Sequence, residues 1–256
     1  MISCLACRRI VLAFVTAAAV AGQFVSLGVE AEFGVGGGVG GRASSVSAQE
    51  KQPVASEKQP AASEKPKPAE RLPMFNGRDL DGWRTPDKFF FEKAGKVEWK
   101  NDQMLLGVGK PGTAIAWTRE MPRSNYEVTL EAKRTGGDDF FCGMTFPVKQ
   151  QHCTLILGGW GGGTTGLSNI NDFAAIENET TDYIEFKRDK WYFVRLKVTD
   201  KKIQAWVDEK QIVDVDTEEK RFGIWWEQEP VLPFGIATWN TSAALRRLSV
   251  RRVGEK

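Results

Sequence analysis

The chain of 256 residues carries Lys+Arg 35 against Asp+Glu 33, a formal net charge of +2. That balance excludes a bulk field for nucleic acid or for an anionic membrane, and the length allows one or two domains. Its 26 glycines and 9 tryptophans point to many turns and to large rings, which serve either as core fillers or as a sugar-stacking surface.

Residues 1–31 open with Arg8 and Arg9, followed by the apolar run IVLAFVTAAAVAG, too short to span a bilayer. This is the pattern of a secretory signal peptide, with Val29-Glu30-Ala31 or Val46-Ser47-Ala48 supplying the cleavage site. The alternative is an uncleaved anchor that tethers the chain to a membrane. Cys7 precedes the apolar run instead of following it, which argues against a lipoprotein. Either reading exports the protein to a periplasm, a cell surface or the medium.

Residues 32–70 are glycine-rich and then repeat, EKQPVAS, EKQPAAS, EKPKPAE, from Glu50 to Glu70. A proline in every unit excludes a coiled coil, leaving an extended, disordered linker. The folded domain is expected over 71–256.

That domain opens with Phe75-Asn76-Gly77-Arg78-Asp79-Leu80-Asp81-Gly82-Trp83, where two turn dipeptides flank a short polar loop. Val97–Lys100 and Gln103–Leu106, split by Asn101-Asp102, read as a hairpin, and Gly112–Trp117 as another strand. Tyr126, Val128, Leu130 and Ala132 alternate with polar residues on one strand face.

In FFCGMTFPVKQQHCTLIL, Cys142 and Cys153 lie symmetrically about Pro147-Val148. A hairpin of Phe140–Phe146 with Gln151–Leu157 brings the two sulfurs face to face as a disulfide; the alternative is two small buried hydrophobes. The chain then changes character in LILGGWGGGTTGLSNINDFAAIENETTDYIEF, five glycines surrounding Trp160 before a loop of amides and carboxylates. Long irregular loops in compact domains tend to be functional.

From Trp191 to Asp216 the period-two pattern is clear. Tyr192–Val198, Ile203–Val207 and Ile212–Val215 form three antiparallel strands with one face on a core. A closing strand, Ala244 to Val253, has its alternation broken at Arg246-Arg247. The expected class is an all-β, two-sheet antiparallel sandwich.

The Phe75–Trp83 segment resembles the "LFNG-x-DL-x-GW" opening of the 3-keto-disaccharide hydrolase domain family. The Trp191 meander, and Gly235-Ile236-Ala237 leading to Leu245-Arg246-Arg247-Leu248-Ser249-Val250, are similar to that family's late and closing strands. The resemblance covers most of residues 72–253. It implies a concanavalin A-like jelly roll, and an exported hydrolase that acts on glycosides oxidised at carbon 3 and cleaves the glycosidic bond.

Glycoside hydrolysis generally uses two carboxylates. Asp172, Glu177 and Glu179 are the nearest candidates, the last two sharing a face if that segment is extended. Alternatively they supply oxygens to calcium or another divalent metal, or face solvent. A 3-keto sugar lowers the requirement, because its ketone acidifies the hydrogen at carbon 2 and one general base then suffices. His152 is the single histidine and is a candidate for that base, for a metal ligand or for a structural role. Trp160, Trp225, Trp226 and Trp239, with Asn169 and Asn171, are the candidates for holding a carbohydrate ligand. The competing reading is a non-catalytic carbohydrate-binding or surface-interaction module on the same fold.

Overall fold

The computed structural model describes residues 70–86 and 91–254. The stretches expected as a signal or anchor segment and as the repeat linker lie outside the described residues, except Glu70. In chain order the strands are β1 (Leu72–Pro73), β2 (Trp83–Arg84), β3 (Val97–Lys100), β4 (Gln103–Leu106), β5 (Gly112–Trp117), β6 (Tyr126–Gly137), β7 (Cys142–Val148) and β8 (Gln151–Gly159). They continue with β9 (Thr164–Ser168), β10 (Asp182–Tyr183), β11 (Tyr192–Val198), β12 (Lys202–Val207) and β13 (Lys210–Asp216), then a 3-10 helix (Trp226–Val231), β14 (Gly235–Trp239) and β15 (Thr241–Arg252).

The alternation that began at Tyr192 builds one edge of the first sheet, in the order β13-β12-β11-β6-β15-β4-β3, with β1 added along β15. The second sheet runs β10-β9-β8-β7-β14-β5-β2. Every pairing between these strands is antiparallel. Val128, Leu130, Val194 and Leu196 from the first sheet meet Met144, Phe146, Leu155 and Leu157 from the second in one buried core. Burying each such side chain contributes about 1.5–3 kcal/mol, which is why one-face alternation commits both sheets to packing against each other. The described residues therefore form an all-β jelly-roll sandwich.

Local sequence explains several junctions. Asn101 and Asp102 both adopt positive φ, 53° and 57°, as a two-residue hairpin turn between right-twisted strands requires. The break at Arg246-Arg247 is a bulge: Arg247 has φ 53°, and the β15–β6 register shifts between Arg246 and Ser249. The supposedly irregular glycine-rich stretch is half strand. β8 continues to Gly159, and β9 pairs back onto it, its Thr and Gly residues showing no hydrophobic alternation.

The disulfide expected between Cys142 and Cys153 does not form, and both thiols are free and buried. Cys142 lies opposite Leu157 and Cys153 opposite Phe146, because the hairpin turns at Lys149-Gln150 and not at Pro147-Val148. Four residues of strand, about 13 Å, separate the two rungs, well beyond disulfide reach. Burial pushes the Cys142 thiol up to about 12 and the Cys153 thiol higher still. We therefore expect an aromatic disulfide reagent to label neither thiol in native protein and both in denaturant, with an unchanged melting temperature under reductant. Prompt native labelling would contradict this burial.

Candidate functional site

The outer face of the second sheet carries the cleft. Along β8, Cys153, Leu155 and Leu157 point into the core, so His152, Thr154 and Ile156 point outward. A cavity of about 290 Å3 lies over this face, lined by Asp139, Phe140, Thr154, Ile156, Trp160, Trp225, Glu227, Gln228 and Trp239.

Its walls come from three connections. The first joins β6 to β7 and holds Asp139: its backbone N–H donates to Thr241 Oγ1 at 2.9 Å, and Oδ1 accepts from the Phe140 N–H at 2.7 Å. Phe140 stacks on Trp239, ring centroids 6.1 Å apart and 26° between planes, while its carbonyl accepts from the Trp239 N–H at 3.0 Å.

The second is the glycine-rich turn between β8 and β9, which presents Trp160. Beneath it lies Arg134, only 7% exposed, donating to the carbonyls of Gly158 at 3.3 Å and Gly162 at 2.7 Å. The glycines are required there. A Cβ on Gly158 would stand 2.4 Å from the Arg134 guanidinium, and one on Gly163 2.0 Å from the Tyr183 ring. Burial lowers the Arg134 pKa, opposed by Asp139 and Asp138.

The third is the segment entering the 3-10 helix. The Trp225 indole N–H donates to Ser168 Oγ at 3.2 Å, and Gln228, buried, accepts from Thr145 Oγ1 at 3.3 Å. Arg84 donates to the Pro230 carbonyl at 2.7 Å and ties the helix down.

Asp139 is the chemically distinctive group. Desolvation raises its pKa above the ordinary aspartate value and Asp138 adds to the rise; N–H donation from Phe140 and Trp160, and the nearby Arg134, pull the other way. A partly desolvated carboxylate beside aromatic walls is a stronger base than one in water.

Of the residues singled out from sequence, Trp160, Trp225 and Trp239 do line the cleft. Trp226 is 63% exposed and is not among the lining residues. Asn169 and Asn171 are absorbed by the fold: the Asn169 backbone exchanges hydrogen bonds with Gly223 at 2.7 and 3.1 Å, and Asn171 Oδ1 accepts from the Arg221 N–H at 2.9 Å. His152 sits one same-face step, about 7 Å, from Thr154. It does not line the cavity; its Nε2 is buried without a partner among the described residues, and burial, helped by Arg123, lowers its pKa.

The three acidic candidates lie outside the cavity lining. Glu177 and Glu179 occupy turns instead of an extended strand, so the expected shared face is absent. Asn178 causes this, its amide nitrogen donating to the carbonyls of Leu167, Phe173 and Ala174. Glu179 pairs with Lys220 at 2.6 Å and Asp172 with Arg221. No group of three or more His, Cys, Asp or Glu side chains arranged to hold a metal occurs among the described residues. Substituting Glu179→Gln or Asp172→Asn should therefore change ligand binding or turnover less than about twofold and stability by under 1 kcal/mol, as for exposed ion pairs generally. A tenfold loss of activity in either variant would relocate the site.

Asp139, Phe140, Glu227 and Gln228 were not singled out from sequence. The available signal was Gly136-Gly137-Asp138-Asp139-Phe140-Phe141, two carboxylates between a glycine pair and an aromatic pair.

Comparison with known proteins adds the following. The sequence profile of the 3-keto-alpha-glucoside-1,2-lyase-like domain matches residues 70–251. A search of curated proteins gave no match. Among solved structures, a Bacillus subtilis protein of unknown function with a galectin-like fold is 13% identical, with TM-score 0.50 over 73% of this chain and 96% of its own. Domain 4 of an extracellular arabinanase from Geobacillus stearothermophilus, in complex with arabinotriose, is 11% identical, with TM-score 0.49 over 74% of this chain and 96% of its own. A laminarinase from Flavobacterium sp. UMI-01 is 10% identical, with TM-score 0.47 over 73% of this chain and all of its own (100%). At these identities the likeness concerns the fold alone.

Proposed function

The chain belongs to the 3-keto-alpha-glucoside-1,2-lyase-like domain family, and from that premise we propose that the cleft binds a 3-keto glycoside and breaks its glycosidic bond, with Asp139 as general base. The observation that supports this most is a carboxylate of raised pKa within an aromatic-walled cavity. The ketone at carbon 3 makes the carbon 2 hydrogen acidic. Asp139 takes that proton, the electron pair forms the C1=C2 double bond, and the C1–O bond breaks as the aglycone oxygen leaves. The proton on Asp139 then passes to the departing oxygen, so the step balances without another reactant. Addition of water to the resulting enone completes a net hydrolysis.

The other lining groups take positioning roles. Trp160, Trp225 and Trp239 offer faces to sugar C–H groups. With its oxygen engaged by Thr145, Gln228 has its amide N–H2 to offer the enolate oxygen developing at carbon 3. The reaction would take place outside the cytoplasm if the N-terminal segment directs export as its sequence suggests.

A second reading is a carbohydrate-binding module without catalysis, favoured by the predominance of aromatic lining over ionisable groups. One experiment separates them. The chain is incubated with a panel of 3-keto glycosides and their unoxidised parents, following enone absorbance and released aglycone. Turnover of the keto substrates alone supports the lyase reading. Saturable binding with no product from any member supports the module.

A further inference from the structure

The outer face of the first sheet, pointing away from the cleft, concentrates positive charge that the whole-chain value of +2 conceals. Glu127 on β6 is nearly buried, its side chain 3% exposed, and is met by Arg71, by Arg251 at 3.0 Å and by Arg195 at 3.9 Å. Lys197 lies directly opposite it in the β11–β6 register. Two same-face steps along β6, Glu131 receives Arg246 at 2.6 Å and Arg247 at 2.7 Å, and Lys133 follows. Five arginines thus share two carboxylates, with two lysines on the same face beside them. Toward the far edge the excess stops, where Lys202 pairs with Asp214 at 2.7 Å and Asp216 at 3.5 Å.

The cations are also held in place. Arg195 lies 3.7 Å over the Trp206 ring, and Trp191 carries Lys133 at 4.8 Å and Arg246 at 4.1 Å from its centroid. Aromatic faces and shared carboxylates fix guanidinium planes that would otherwise sample many rotamers, so less entropy is lost when an oxyanion binds. Guanidinium groups recognise carboxylate and sulfate oxygens in two-point geometry. An outer sheet face is open and does not enclose a ligand, and so fits an extended polymer better than a small molecule.

We propose that this face binds an anionic polysaccharide, one bearing carboxylate or sulfate groups, and holds the domain on it while the cleft on the opposite sheet stays open. This does not rest on the reaction assigned to the cleft.

The test uses the full chain and four probes: polygalacturonate, neutral dextran, phosphatidylglycerol vesicles and duplex DNA. Polygalacturonate binding that weakens with added NaCl, with no dextran binding, is expected. Replacing Lys133, Lys197 and Arg247 by Gln leaves the arginines that contact Glu127 in place and should weaken that binding at least roughly tenfold, since each charge-assisted hydrogen bond contributes on that scale. Replacing Lys93, Lys110 and Lys149 by Gln removes the same charge elsewhere and should change it less than about twofold. Equal losses in the two triple variants would reduce the effect to net charge and overturn the proposal. So would binding to vesicles or DNA in preference to the polysaccharide. Asp139→Asn should bind polygalacturonate normally, which separates this surface from the cleft.

Discussion

Asp139→Asn should lower kcat on a 3-keto glycoside by about 10^2–10^4-fold, the contribution of one positioned general base, while KM changes little. The asparagine keeps the shape, and its Oδ1 can still accept from the Phe140 N–H, but it cannot take a proton from carbon 2. The tryptophans that line the cleft are untouched. The pH profile carries the same signature. Because desolvation raises the Asp139 pKa, the acidic limb of kcat/KM should fall at a higher pH than an ordinary aspartate would give, and the limb should vanish in the variant. Stability runs the opposite way. A folded pKa above the unfolded one means that the native state holds the proton more tightly, so the group favours folding at low pH, and that advantage is lost as pH rises through the folded value. At neutral pH the neutral amide removes the desolvation cost, and the melting temperature should equal or exceed the parent's. An active Asp139→Asn protein would move the base elsewhere, to Glu227 or His152 first.

Gly158→Ala should destabilise the domain by about 2–5 kcal/mol and cost roughly 5–15 °C in melting temperature. Two effects add. Gly158 has φ +80°, where an alanine pays about 1–2 kcal/mol. Its new Cβ would stand 2.4 Å from the Arg134 guanidinium, which is buried and donates to the carbonyls of Gly158 and Gly162. Displacing a buried charged donor costs about 1–3 kcal/mol more. Gly161→Ala is the control: φ is +90° but nothing lies within 4 Å of its Cβ, so only the backbone cost of about 1–2 kcal/mol applies. Because the same turn presents Trp160 and its N–H to Asp139, Gly158→Ala should also weaken sugar binding, whereas Gly161→Ala should spare it. Equal melting temperatures for the two variants would show that Arg134 does not clamp the turn.

Strands with one face on the core were legible because burial writes period two into the chain. Tyr192–Val198, the Asn101-Asp102 hairpin and the bulge at Arg246-Arg247 all fall where alternation or turn chemistry put them. β9 was not, since Thr164–Ser168 packs through glycine and small polar residues that leave no hydrophobic rhythm. The Cys142–Cys153 pairing failed for a related reason. A hairpin centre two residues from the assumed one moves partners four rungs apart. The acidic loop shows another limit: Asp172 and Glu179 are exposed and form ion pairs with Arg221 and Lys220, outside the cavity lining, and their sequence alone does not show that pairing.

By itself, then, the sequence determined the all-β sandwich and the family, because both are written in local patterns: alternation, turn dipeptides and the Phe75–Trp83 opening. Only the tertiary structure brings the candidate site together. Asp139, Trp160, Trp225 and Trp239 come from four separate stretches of chain, and become one cavity only when β8 and β14 lie in the same sheet under the 3-10 helix. The basic face has the same origin: Arg71, Glu127, Arg195 and Arg251 are scattered in sequence and meet through cross-strand register. Pairing between strands, unlike alternation within one, is set by which faces pack and where the turns fall, and no single segment carries that information.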